Sequence, residues 1–76
     1  MIKWPDFAAR LSRHGRGHPV EAASVLFGAG LNISSVSFLE FIMELEEDTG
    51  LDIDVESLDA SIRTAGQLYD RIFAAL

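Results

Sequence analysis

The chain has 76 residues, 49% of them hydrophobic, which is enough for one small folded domain spanning residues 1–76. It contains no cysteine, which excludes disulfides, zinc–thiolate sites and a thiol nucleophile. A net charge of −6 disfavours nucleic acid and anionic lipid as partners, so we expect binding to neither. With no apolar run long enough to cross a bilayer and no signal-peptide pattern at residues 1–18, we expect a cytoplasmic protein. We also expect it to be a monomer.

The charges are unevenly distributed along the sequence. Four of the six basic residues lie within the first 16 positions, whereas the segment from Glu40 to Asp59 holds nine acids and no base. Such an acidic surface can serve solubility alone. It also favours fast, salt-sensitive encounters with basic patches on partner proteins.

The first predicted helix covers about Trp4 to Arg13, with Pro5 near its start, where a missing N–H costs nothing. The run "HGRGHP" at residues 14–19 ends this helix. A long loop follows and is closed by the "GAG" at residues 28–30. Its apolar residues, which we expect to pack over the bundle, are Val20, Val25, Leu26 and Phe27.

The second predicted helix runs from about Ser35 to Thr49 and stops at Gly50, which suits a left-handed cap. A short third helix is placed near residues 55–60. The last helix starts after Thr64 as its N-cap, and its apolar face uses Leu68, Ile72, Phe73 and Leu76. The predicted fold is therefore an all-α four-helix bundle with three main helices and one short one.

The second helix has two apolar faces. At about 100° per residue, one stripe contains Phe38, Phe41, Ile42 and Leu45, and we assign it to the core. A second stripe, about 100–160° from Phe38, contains Val36, Leu39 and Met43 beside the acids Glu40, Glu46 and Glu47. We interpret these six residues as a docking surface, the alternative being that the loop at residues 17–30 covers Val36 and Leu39.

Three serines crowd the start of that helix: Ser34, Ser35 and Ser37. Ser37 with Glu40 fits a capping box, so its role has a purely structural explanation. A helix start also stabilises a phosphate group. Because three serines exceed what one helix end can use as caps, one of them is a candidate for attachment of a group.

The stretch "GLNISSVSFLEFIMELEEDTGLDID" resembles the core of acyl carrier proteins and peptidyl carrier domains. In that family a serine at the start of an acidic second helix takes up 4′-phosphopantetheine from coenzyme A, and the thiol of this arm carries an acyl or aminoacyl group. Aligning on Leu45, Glu46 and Glu47 places the modified serine on Ser35, with Ser34 as a weaker candidate. The same alignment puts Glu40 and Met43 on positions that typically recognise partners.

The resemblance implies a non-catalytic carrier whose partners are a phosphopantetheinyl transferase, an acyl- or aminoacyl-loading ligase and downstream acyl-processing enzymes. Two departures accompany it: Ser34 replaces the aspartate that usually precedes the modified serine, and Ser37 replaces an acid. These changes favour a specialised stand-alone carrier over one serving a general fatty-acid system. They also leave open a second hypothesis, a helical adaptor that keeps the fold and carries no prosthetic group.

Other chemistries are disfavoured by spacing. His14 and His18 are separated by glycines and lack a third ligand, so we expect no metal site. Serine, histidine and acids occur, but no arrangement of a hydrolase is recognisable, so we expect no catalytic residues.

Overall fold

A computed structural model describes residues 2–28, 30–54, 58 and 61–73 of the chain. These residues form three helices: α1 (Trp4–His14), α2 (Ser35–Thr49) and α3 (Ala65–Phe73). This confirms the predicted all-α class and its three main helices. The predicted short helix at residues 55–60 lies outside the described residues except for Leu58. No helix in the described ranges is long and apolar enough to cross a membrane.

Helix α1 begins as its sequence predicts, with proline in the first turn followed by Asp6. It extends one residue beyond the predicted end, because Gly15 still donates its backbone N–H to the carbonyls of Leu11 and Ser12. Phe7 and Leu11, one turn apart, are its buried residues. Helix α1 therefore contributes one narrow apolar stripe to the core.

Helix α2 has the bounds that the sequence predicts, and both of its ends are capped. Ser34 precedes it with extended backbone, and its side-chain oxygen accepts a hydrogen bond from the N–H of Ser37 at 3.1 Å. Gly50 follows it with φ of 72°, the left-handed conformation that glycine adopts without strain. The predicted capping box on Ser37 is wrong, because the helix starts at Ser35 and Ser37 supplies the donor.

Helix α3 is capped by Thr64, as predicted: its Oγ1 accepts from the N–H of Gln67 at 3.2 Å. The chain just before α3 pairs with the long loop through an antiparallel bridge between Val25 and Thr64. Ala65 donates to the Ser24 carbonyl there, at 2.9 Å. Apart from this bridge, the described part of the chain contains no β-structure. The bridge fixes the loop against the start of α3.

The core lies between the three helices and is closed by the loop. Phe7 is at its centre, with its ring within 6.2 Å of the rings of Trp4, Phe41, Tyr69 and Phe73. The buried residues are Phe7, Leu11, Leu26, Leu31, Ile33, Phe41, Ile42, Leu45, Ile62, Ala65, Leu68, Ile72 and Phe73. They include three of the four predicted core residues of α2, and the fourth, Phe38, packs against them half-buried.

The expectation that the loop's apolar residues pack over the bundle is confirmed for Leu26, which is fully buried, and for the half-buried Val20. It is wrong for Val25, whose side chain is exposed, and right only in part for Phe27, which is also exposed but whose ring lies against that of Phe38 on α2. The bridge to Thr64 explains the difference, since neighbouring residues of an extended segment point to opposite sides. Leu26 points inwards, and the residues on either side of it point outwards.

Ion pairs hold α1 against α2. Arg10 bonds to Asp48 and to Asp6, and these two carboxylates raise the pKa of the Arg10 guanidinium above its ordinary value. One turn further along, Arg13 donates to Glu44 at 3.0 Å. The basic end of the sequence is thus partly neutralised by acids of α2.

Candidate functional site

The loop that leads into α2 is anchored on both sides of Gly30. Leu31 donates its N–H to the Val25 carbonyl at 2.7 Å, and Ile33 donates to the Leu26 carbonyl at 3.0 Å. The side chains of Leu31 and Ile33 are buried. A Cβ on Gly30 would overlap the Val25 carbonyl oxygen, so the loop closes in this form only with a glycine there. These contacts place the residues directly after Ile33 at a defined position on the surface.

The three serines at that position differ in what their side chains do. Ser34 caps α2 through its hydroxyl oxygen, and Ser37 is half-buried within the first turn. Ser35 is exposed as the first residue of α2, and none of the described residues forms a hydrogen bond with its hydroxyl. Ser34 is also exposed, so Ser35 differs from it in having an exposed hydroxyl that does not cap the helix.

The surroundings of Ser35 fit an attached phosphoryl group. The first turn of α2 carries no acidic residue that would repel an anion, and its unpaired N–H groups and dipole favour one. Exposure leaves room for a long arm to extend away from the domain. Covalent attachment needs no pocket and no base on this chain, since a transferase can supply both.

The second apolar stripe of α2 is exposed. Val36, Leu39 and Met43, together called the apolar patch from here on, have exposed fractions of 65%, 47% and 59%. The loop at residues 17–30 thus leaves Val36 and Leu39 uncovered, contrary to the alternative that the sequence allows. The patch begins one residue after Ser35 and continues along the helix.

One apolar neighbour of this site was not anticipated from the sequence. Phe27 is 41% exposed, and its ring lies 5.5 Å from the ring of Phe38 on α2. Phe27 is therefore held beside the start of α2 instead of packing into the core. The sequence signal that could have indicated this is the glycine that follows Phe27, which turns the chain back with φ of 67° at Gly28.

The acids predicted to surround the apolar patch are not equivalent. Glu40 and Glu47 are exposed and pair with none of the described residues. Glu46 is half-buried, and its Oε2 accepts a hydrogen bond from the N–H of Ile53 at 3.1 Å. Glu46 thus binds the segment that follows α2. Within the described part of the chain, Glu40 and Glu47 are the two acids of the predicted set whose carboxylates make no hydrogen bond or ion pair.

The two histidines lie in different environments. His14 is the last residue of α1 rather than part of a loop, and its Nε2 lies 3.1 Å from the Glu44 carboxylate. His18 is exposed in the following loop. Among the residues that the structure describes, no three histidine, cysteine or acidic side chains are grouped as metal ligands would be.

The sequence model of one family, described as the phosphopantetheine attachment site, matches residues 17–72. The match takes in the long loop, all of α2 with Ser35, and α3 up to Ile72. Neither a search of curated proteins nor a search of solved structures gave a significant match. Members of the family hold 4′-phosphopantetheine covalently and act as carriers without catalysis of their own. The chain belongs to this phosphopantetheine attachment family of acyl and peptidyl carrier proteins.

Proposed function

We propose that the chain acts as one carrier domain that holds an acyl or aminoacyl intermediate on a 4′-phosphopantetheine arm attached to Ser35. The observation that carries this proposal is the exposed hydroxyl of Ser35 at the first residue of α2, which forms no hydrogen bond with any residue that the structure describes. The arm supplies a terminal thiol on which the intermediate is held as a thioester. The domain itself supplies the attachment point, a rigid helix and a surface that partner enzymes can recognise.

The hydrogen bonds at the helix start favour Ser35 over Ser34 as the attachment residue. The Ser34 oxygen is already the acceptor that caps α2. Attaching a phosphoryl group there would turn this oxygen into an ester oxygen and weaken the cap. Attachment at Ser35 leaves the cap unchanged, so the fold of the domain is the same before and after modification.

The partner surface that we propose consists of the apolar patch with Glu40 and Glu47. Exposed apolar side chains with an acidic rim suit brief docking. The charges raise the association rate, and because the apolar contact area is small, the complex dissociates readily. The partners are a phosphopantetheinyl transferase, an acyl- or aminoacyl-loading ligase and enzymes that process the loaded intermediate. Each docks beside Ser35, so the tethered intermediate reaches it at a high effective concentration.

A second candidate function is a helical adaptor that binds partners without the arm. The observation that favours it is Ser34, which stands where the resembled family has an aspartate before the modified serine. An adaptor would use the same apolar patch but would not need the Ser35 hydroxyl. Whether a transferase accepts the chain separates the two candidates.

The proposal is tested by incubating the protein with coenzyme A and a broad-specificity phosphopantetheinyl transferase and measuring the intact mass. Ser35→Ala and Ser34→Ala serve as a matched pair, since each removes one hydroxyl from the same helix end. We expect a gain of one phosphopantetheinyl group in the wild type and in Ser34→Ala, and none in Ser35→Ala. A gain that persists in Ser35→Ala and disappears in Ser34→Ala would move the site to Ser34. No gain with several transferases would favour the adaptor.

A further inference from the structure

The loop before α2 presents one aromatic ring beside the first turn of that helix. The ring of Phe27 lies 5.5 Å from the ring of Phe38, at an angle of 64°, and the Phe27 side chain remains 41% exposed. Phe38 follows Ser35 by three residues, so it lies about 60° around the helix from Ser35 and nearly one turn further along. Side chains at this spacing are neighbours on a helix surface. Phe27 therefore packs against a direct neighbour of the proposed attachment residue.

The backbone of the loop brings Phe27 to the same place. The Val25 carbonyl accepts a hydrogen bond from the N–H of Leu31. One residue further along, the Leu26 carbonyl accepts from the N–H of Ile33, so the two segments run side by side in the same direction. Phe27 is the next residue of the first segment, and the second segment leads into α2. Two separate sets of contacts, one between rings and one between backbones, thus hold Phe27 beside the helix start.

The arm that members of this family hold covalently carries an apolar group close to its attached end. In 4′-phosphopantetheine, a carbon with two methyl groups follows the phosphate and one methylene group. When the phosphate is joined to a serine oxygen, only phosphorus, one oxygen and the methylene carbon separate that oxygen from the methyl-bearing carbon. The two methyl groups therefore stay near the first turn of α2, whereas the thiol end of the arm can move away. Tethering gives these methyl groups a high effective concentration at the helix start.

We propose that the open face of the Phe27 ring binds the two methyl groups of the arm, an inference that rests on the proposed attachment at Ser35. Packing methyl groups on an aromatic ring removes apolar surface of both from water. Phe38 and the apolar patch lie on opposite sides of Ser35 around the helix, so an arm held at Phe27 leaves the patch free for partners. A partner enzyme could also contact this ring, but the tether brings the arm to it in every modified molecule.

The test is ¹H NMR of the fully modified protein, because an aromatic ring shifts the resonances of protons packed on its face upfield. Phe27→Ala removes the side chain, and Phe27→Leu replaces the ring with an apolar side chain that has no ring current. Val25→Ala is the matched control, since Val25 is 44% exposed in the same loop but is bridged to Thr64 before α3. The Tm of each variant is recorded to confirm that it is folded.

In the wild type, we expect the arm methyl resonances to lie upfield of those of free phosphopantetheine and to show nuclear Overhauser effects to the Phe27 ring protons. The upfield shift should be lost in Phe27→Ala and in Phe27→Leu, and it should be retained in Val25→Ala. Phe27→Leu should still show nuclear Overhauser effects between its own methyl groups and those of the arm.

The intact mass of every sample, with Ser35→Ala alongside, is recorded first. A mass gain that is absent from the wild type, or that persists in Ser35→Ala, would contradict the proposed attachment and this inference with it. A complete mass gain at Ser35 with the same methyl resonances in the wild type and in Phe27→Ala would overturn the contact with the arm alone. If those unchanged resonances came with a slower mass gain in Phe27→Ala, the ring would belong to partner docking instead.

Discussion

At the start of α2, neighbouring serines divide two tasks between them. Ser34 closes the helix by accepting the N–H of Ser37, and Ser35 presents an exposed hydroxyl with no partner among the described residues. Because the cap uses a different oxygen from the one proposed for modification, a group can be attached without loosening the helix. The neutral cap also leaves the helix end without the negative charge that an aspartate would bring.

Removing the cap gives the first prediction. Ser34→Ala should lower the free energy of unfolding by about 1 kcal/mol, because the N–H of Ser37 loses its acceptor. Ser37→Ala is the control: it removes a hydroxyl from the same turn but keeps the backbone donor, and it should change stability by less than about 0.5 kcal/mol. Urea unfolding of both variants measures the difference. Equal losses in the two would show that Ser34 is not the functioning cap.

The position of the α2 cap depends on contacts that the serines themselves do not reveal. Ser34 and Ser37 both precede residues that can form a helix, and the choice of cap depends on where the backbone turns from extended to helical. Buried anchors further back, Leu31 and Ile33, determine that point. Such anchoring is a tertiary property, so the pattern of serines alone placed the cap three residues too late.

At the scale of the elements, α2 is a helix with a buried side and an exposed apolar side. Phe41, Ile42 and Leu45 face the core, while the apolar patch faces away from it with Glu40 and Glu47 alongside. Both stripes were predictable because helical periodicity separates them by more than a quarter turn. The sequence could not indicate that Glu46 is engaged, since its partner, the N–H of Ile53, belongs to an irregular segment.

Charge reversal on α2 tests the partner surface. Glu47→Lys should slow modification by the transferase about tenfold at low salt, because it removes an attractive charge and adds a repulsive one. Asp70→Lys makes a comparable change on an exposed position of α3 and should leave the rate unchanged. The modification rate of each variant is measured as the rate of mass gain, and its Tm is recorded as a check on folding. Equal slowing in the two variants would mean that overall charge, and not the proposed surface, governs docking.

The loop before α2 makes a separate prediction. Gly30→Ala should cost about 3 kcal/mol, because the new Cβ would overlap the Val25 carbonyl oxygen. Gly50→Ala serves for comparison: it has open space around it and only the left-handed backbone to accommodate, which costs about 1–2 kcal/mol. Thermal unfolding of Gly30→Ala and Gly50→Ala shows which substitution lowers the stability more. A smaller loss for Gly30→Ala than for Gly50→Ala would contradict the tight closure of this loop.

On the scale of the whole molecule, one aromatic side chain joins all three helices. Phe7 of α1 is fully buried, and its ring is in contact with rings of α2 and α3. Ion pairs from Arg10 and Arg13 to α2 add to this packing at the surface. A domain of this size has few buried residues to spare, so its stability depends on a small number of large side chains.

Truncating Phe7 should therefore unfold much of the population. Phe7→Ala is expected to lower the free energy of unfolding by about 3–5 kcal/mol, through lost burial and the cavity left behind. Phe27→Ala removes the same side chain from a partly exposed position and should cost less than about 1 kcal/mol. Circular dichroism on heating distinguishes them. Similar losses of stability in the two variants would contradict this account, because they would mean that Phe27 contributes as much to the core as Phe7.

Much of the overall architecture followed from the sequence, because turn residues and caps stand at the helix ends. Gly50 and Thr64 mark helix boundaries on their own. The loop was harder: Val25 and Phe27 are apolar but exposed, and only the bridge to Thr64 reveals which side of the segment faces inwards. The sequence of a loop does not show which of its side chains face the core.

The most direct test of the account is to locate the arm on the wild-type protein. After modification, cleavage at glutamate yields a peptide covering residues 22–40, which contains Ser34, Ser35 and Ser37. Tandem mass spectrometry of this peptide assigns the added phosphopantetheinyl mass to one residue. The account predicts that the mass lies on Ser35. Placement on Ser34 or Ser37 would contradict the claim that the exposed hydroxyl at the first residue of α2 is the attachment point.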